Sequence, residues 1–444
     1  MWFHKLYQSW VGTSSSGRRT RAPASPRRSV RPRLEQLEDR MLPSNFTAAT
    51  VSDLIADINA ANRAGGTNTI TLTAPTTAPY VLTAVDNHTD GPTALPVISR
   101  RDALTVVGNG VTMERSAAFG TPDFRLFDVA SGASLTLQNV TLQNGLEDGS
   151  GNSAEGGALY NQGTLILRGA TVQNNEAEGS NGANARNLKQ NGGVGQDAAG
   201  GGIWSSGSLT LANVTLVQNN TALGGSGGNA YDGNDPYSQA GNGGSGSGGG
   251  VYVAGGTVTV VGGRLSGNVA EGGQGGDKLF QFGGASVDEG GYGGNGLGGG
   301  LFIAAGTVEL TSVTVESNSA IGAPENLQHS NFAGTGNGGG IYVAAGTLTL
   351  SSDTVEFNTT DYGGGIYIAS NSTVTLCNDT VQSNTAEGAS GNYVFGNGGG
   401  IYIESGTIVH IDSFTVANTI NNTDSSGLNG PTSNIDGTYI LQNC

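Results

Sequence analysis

The chain is poor in charge: only 12% of its 444 residues are Asp, Glu, Lys or Arg. Methionine (3), tryptophan (3), histidine (4) and cysteine (2) are scarce as well. Low charge with abundant glycine argues against a helical protein. The histidines, His4, His88, His329 and His410, are too dispersed in the chain for a metal cluster or a catalytic triad. Cys377 and Cys444 are too few for a disulfide scaffold. Cys377 falls in an outward-facing slot of its repeat, and both a bridge and two unrelated thiols stay open. No apolar run approaches the ~20 residues that span a bilayer. The opening MWFHKLYQSWVG lacks the clean apolar run and small-residue cleavage site of a standard secretory signal.

Charge is also distributed unevenly. Residues 1–44 hold nine of the 19 Lys/Arg and three of the 35 Asp/Glu, a net of +6. The remaining ten basic and 32 acidic residues give 45–444 a net of −22. An acidic body repels phosphates and anionic lipid, so nucleic acid and membrane surfaces are excluded as partners of the main body. The basic arm has no interleaved aromatics and reads as a targeting or tethering segment.

What is present is glycine, 77 residues of it, and a thirteen-residue register. Gly-x-apolar-x-apolar-x-x-x-Thr-apolar-x-x-Asn runs over 163–175, 207–219, 306–318 and 346–358, over 256–268 with Arg264 in place of the threonine, and over 372–384 with Ser372 in place of the glycine. Each copy follows glycines and an apolar run such as GGALY, GGGIW or GGGIYV. The shortest interval between the glycine runs, from Gly340 to Gly365, is 25 residues. In it the runs IYV, TLTL and TVEF read as three strands, alternating inward and outward. Fixed spacing within units and variable spacing between them means stacked coils with loops emerging at one corner. The expected fold is therefore all-β: a right-handed parallel β-helix, a three-sided solenoid with an N-terminal capping α-helix. The columns of Asn175, Asn219, Asn268, Asn318, Asn358 and Asn384 are expected to stack as a ladder of amides.

Three segments follow from this reading. Residues 1–44 form a basic, disorder-prone arm and a candidate export or sorting segment. Residues 45–66 hold the helix: Val51, Leu54, Ile55, Ile58 and Ala61 make one apolar face, Thr50 with Asp53 a capping box, and Gly65-Gly66 the stop. Such a helix covers the open end of a strand stack. Residues 67–444 form the β-helix with long Gly-rich loops.

Two resemblances add to this. Glu35, Glu38, Asp39 and Arg40 lie in LEQLEDR, which resembles a short Leu-Glu-x-Leu-Glu-Asp-Arg motif near the N-terminus of large repetitive bacterial surface proteins. That resemblance implies export. The paired GGAL (156–159) and Val172-x-x-Asn175 resemble the GGA[ILV] and Phe-x-x-Asn repeats of the polymorphic outer-membrane protein family. Val or Leu stands in place of that family's Phe throughout, and only about 25 residues follow the last coil, too few for its membrane-anchoring β-barrel. The resemblance implies a β-helical surface protein, extracellular or on the cell surface, with glycans or surface proteins as partners.

Little chemistry is visible. Carbohydrate-cleaving β-helices need paired acids, or Arg/Lys with Ca²⁺-binding acids, on adjacent coils. Here Arg168, Glu309, Glu356, Glu404 and His410 are scattered, and Asp353 with Asp361 is the nearest pair. No cofactor is expected. GGQGGDKLF (272–280) is a lone match to a calcium repeat, making Asp277 the only calcium candidate. Thr257, Thr259, Thr347, Thr349, Thr373 and Thr375 would form outward Thr columns of an ice-binding kind, interrupted at Ile166 and Glu309. Tyr252, Tyr342, Tyr367 and Tyr402 are candidates for stacking on a sugar. The expected function is a non-catalytic structural, adhesive or binding role, with a carbohydrate-active or glycan-binding β-helix as the alternative.

Overall fold

The computed structural model describes residues 43–444 except 188–189, 233–237, 281–289, 325–332, 389–395 and 426–430. Residues 1–42, nearly all of the basic arm and its LEQLEDR motif, lie outside the described residues. Nearly all pairing between the strands is parallel, in stacked sheets. The minimal coil shows how the sequence does this. Ile341–Val343 belongs to a nine-stranded sheet, while Gly346–Ser351 and Thr354–Glu356 both belong to a twenty-stranded one. A fourth strand, Thr359–Thr360, joins an eight-stranded sheet. The sequence pattern does not reveal that strand, because two residues are too short to alternate.

Register explains the core. Leu104, Leu135, Leu165, Leu209, Val258, Val308, Leu348, Val374 and Val409 stand on consecutive rungs. All are buried. Each such side chain contributes about 1.5–3 kcal/mol on leaving water, so stacked coils without a globular centre still acquire a continuous interior.

One repeat departs from the thirteen-residue register. Val172 stands opposite Val217, not Leu216. The additional residue is absorbed at Asn213 and Val214, both with left-handed φ (55° and 58°), and Val214 is 69% exposed.

Helix α1, Val51–Ala64, begins with the Thr50/Asp53 capping box and ends at Gly65, whose φ is 61°. Asp53 accepts from the Thr50 amide at 3.0 Å and donates its own amide to Thr50 Oγ1 at 3.2 Å. Leu54, Ile58 and Ala61 are buried in the shared core. The segment before it is a strand and not part of the helix. Ser44–Ala48 pairs in parallel with Asn68–Leu72 and buries Ala48.

The long loops are more regular than their composition implies. Bonds recur every third residue: Gly179, Gly182 and Ala185 donate to Leu223, Ser226 and Asn229 of the next coil. Gly228 donates to Gly193, Gly241 to Gly228, Gly276 to Gly241 and Gly291 to Gly276, all at 2.8–2.9 Å. A three-residue period is that of polyproline II-type extended chains, which make no internal bonds and must bond outward. Glycine is required at the contacts. A Cβ on Gly241 would lie 1.7 Å from the Gly193 carbonyl oxygen. The described residues of the loops over 179–196, 224–246 and 272–296 thus form a lattice held largely by peptide groups.

Candidate functional site

The repeated Asn sits where the chain turns out of the large sheet into the eight-stranded one. Asn358 Oδ1 accepts from the amide of Asn318 at 2.9 Å and from its Nδ2 at 3.0 Å. Asn358 Nδ2 donates to Val315 O and to Asn384 Oδ1, at 3.0 and 2.9 Å. The same four-bond pattern links Asn220, Asn268 and Asn318, and Asn384 continues it to Asn422. Asn175 accepts from Gly145 and donates to Asn220.

Asn219 is corrected by its neighbour. The extra residue at Asn213-Val214 advances the register by one, so Asn220 is buried and joins the ladder. Asn219 turns outward with φ 53°. The Asn-Asn doublet at 219–220 carries the signal in sequence, but only once the longer bend is allowed for.

A second ladder occupies the bend between the two strands of the large sheet. Asp353 accepts from Val313 and Ser351 at 2.6 and 2.7 Å, and Asp379 from Asp353 and Cys377 at 2.8 and 2.7 Å. Burial pushes the Asp353 carboxyl up to about 6 and that of Asp379 to about 7. Asp361, read beside Asp353 from sequence, accepts instead from the Gly336 amide at 2.6 Å. Each of the two carboxylates serves a turn of its own.

The tyrosines belong to a longer aromatic column. Tyr160, Trp204, Tyr252, Phe302, Tyr342, Tyr367 and Tyr402 share one register position. Ring centroids are 4.9 Å apart for Tyr252 and Phe302, 5.1 Å for Phe302 and Tyr342, and 4.9 Å for Tyr342 and Tyr367. Tyr402 tilts against Tyr367 at 5.0 Å. Sugar stacking needs an open ring face, and both faces of Tyr342 and Tyr367 are covered by neighbouring rings. Edges and hydroxyls are what they offer outward. The Tyr367 hydroxyl lies 2.5 Å from Glu404 Oε1, and Glu404 Oε2 accepts from the Ser370 amide at 2.8 Å. Burial and that carboxylate hold the Tyr367 phenol far above its ordinary value.

Arg125 closes the head of the column, its guanidinium 4.9 Å from the Tyr160 ring centroid. It is 2% exposed, pairs with Glu147 at 3.1 Å and donates to the Asp90 carbonyl. Asp128, on the rung before Tyr160, is fully buried, and neither carboxylate oxygen meets a donor. Burial raises Asp128 to about 7, with the Asp90 charge adding to the rise and Arg125 opposing it. Burial raises Glu147 to about 7 as well, against the pull of Arg125. These residues come from non-repeating segments, so no pattern in the sequence points to them.

Asp277 lies in the glycine lattice, its amide donating to Asn229 Oδ1 at 2.8 Å. Among the described residues, no group of three or more His, Cys, Asp or Glu is arranged to hold a metal ion. The Thr columns differ from one another. Ser134, Thr164, Ser208, Thr257, Thr307, Thr347 and Thr373 are unbroken, while Ile166 and Glu309 interrupt the column of Thr136, Thr210, Thr259, Thr349 and Thr375. Cys377 and Cys444 form a disulfide with Cα atoms 5.8 Å apart. Among the described residues no helix is long and apolar enough to cross a membrane. Comparison of the chain with protein-family models, curated proteins and solved structures found no match.

Proposed function

We propose that this protein is a non-catalytic, exported or cell-surface rod, a right-handed, three-sided parallel β-helix closed at one end by α1, with a structural or binding role. Its repeats are read as the polymorphic outer-membrane type. The observation that carries the reading is where the repeated polar and aromatic side chains are used. The ladder asparagines, the bend aspartates and the stacked rings each bond or pack on the coil next to them. A hydrolase or lyase needs its acids converging on one open groove, unspent on structure. The Cys377–Cys444 bridge supports export, because oxidising compartments are where such bonds persist.

Fractionating native cells, with thiol labelling under non-reducing conditions, tests this. The protein is expected outside the cytoplasm with both cysteines blocked. Recovery in the cytoplasm with two free thiols would overturn export. Release of reducing sugars from pectin or alginate would overturn the non-catalytic reading.

A further inference from the structure

The outer face of the large sheet carries a depression of about 470 Å³, lined by Thr105, Thr136, Gln138, Asn139, Arg168 and Asn213. Its cause is local. Gln138, Arg168 and Ala212 stand on consecutive rungs, so Arg168 has only a methyl group on one side. In the bend that follows, Gly169 takes a left-handed φ of 58°. A Cβ there would lie 2.7 Å from Asn139 Oδ1, so the glycine lets the Asn139 carboxamide sit close against the bend.

The lining is hydroxyl, carboxamide and one guanidinium, with no acid and no apolar wall. Arg115, Arg125 and Arg264 pair with Asp123, Glu147 and Glu316. Arg168 is exposed and makes no ion pair among the described residues, on a body that carries 32 acidic side chains. A cation left without an acid, ringed by neutral donors and acceptors, is half of a recognition site.

We infer that this depression binds a carboxylated sugar residue of the uronic acid type. Arg168 takes the carboxylate through its two-pronged fork, and the threonines and carboxamides take the ring hydroxyls. A neutral sugar leaves the guanidinium without its counter-charge. A bare anion leaves the neutral groups unused, and an apolar ligand finds no wall. This names the ligand class of the binding role proposed above and rests on that role, but not on export, which cell fractionation tests separately.

The test is calorimetric titration of the full chain with a glucuronate-terminated disaccharide, its glucose counterpart, and acetate or inorganic phosphate. Saturable binding of the glucuronate sugar is expected, weaker by about tenfold or more for the glucose sugar. Arg168→Met should weaken glucuronate binding by at least about tenfold. Ala212→Glu should do the same while keeping the arginine, since it sets an acid on the adjacent rung. Both positions face outward, so circular dichroism and Tm should not change. If Arg168→Met fails to fold, Ala212→Glu decides. Absence of binding, unchanged affinity in Ala212→Glu, or equal binding of acetate or phosphate would each overturn the inference.

Discussion

Asn358 donates its side-chain amide to the carboxamide oxygen of Asn384 at 2.9 Å, one coil further along. Both are fully buried. Each therefore satisfies main-chain and side-chain groups that no water reaches. Asn358→Ala strands the amide of Asn318, its Nδ2, and the Val315 carbonyl. Leaving such groups unmet costs about 1–3 kcal/mol apiece before relaxation. A net loss of about 2–4 kcal/mol is expected, read as a lower denaturation midpoint.

The shifted register gives a sharper contrast. Asn220→Ala should cost as much as Asn358→Ala, whereas Asn219→Ala, on the exposed side of the same turn, should stay within about 0.5–1 kcal/mol. Comparable losses at the two positions would show that the bend at Asn213-Val214 is misplaced.

That doublet also shows how far the sequence could be read. The alternation in TLTL and TVEF, repeated at fixed distance, revealed which residues face inward and that coils stack. It could not reveal an added residue in a bend, because Leu216 and Val217 are both apolar and both fit the template. The glycine lattice was legible in principle, since its glycines recur every third residue, but such spacing is easily taken for irregular loop composition. The Arg125 cluster left no trace because its partners, Asp90, Asp128 and Glu147, come from segments that never repeat.

Stability should fall as pH rises through neutrality. Asp128 and Glu147, held near 7, and Asp353 and Asp379, held near 6 and 7, bind protons in the folded state that the unfolded chain has released. An acid whose folded value is raised gives its full advantage below its unfolded value of about 4 and loses it as pH rises through the folded value. A lower Tm at pH 8 than at pH 5.5 is expected. Asp128→Asn should flatten the profile. A steeper decline in that variant would refute the assignment.

Reducing the disulfide should loosen one end only. Cys444 is tied to Cys377 across 67 residues of sequence, a closure worth about 4 kcal/mol in the chain-entropy picture. In a stack whose coils contact only their neighbours, that loss stays local. Cys444→Ser should raise amide exchange in Ile408–Ile411 and Ile440–Leu441, which pair with one another, and leave Leu165–Leu167 protected.

A methyl group at Gly241 tests the lattice. Gly241→Ala sets a carbon against the Gly193 carbonyl, so proteolysis within 179–296 should quicken while Tm of the stack changes by less than about 1 kcal/mol equivalent. If cleavage rates stay at the parent level, the loops do not cohere as described.

Cohesion through peptide groups has an evolutionary consequence. In the lattice, one position in three must remain glycine, and asparagines such as Asn181, Asn184, Asn229 and Asn242 accept from amides of the next coil, while the remaining side chains carry less of the cohesion. Those positions can drift, acquire new partners or change charge without loosening the stacked coils beneath. A lineage under shifting external demands could rewrite its outermost layer freely while conserving the beam that carries it.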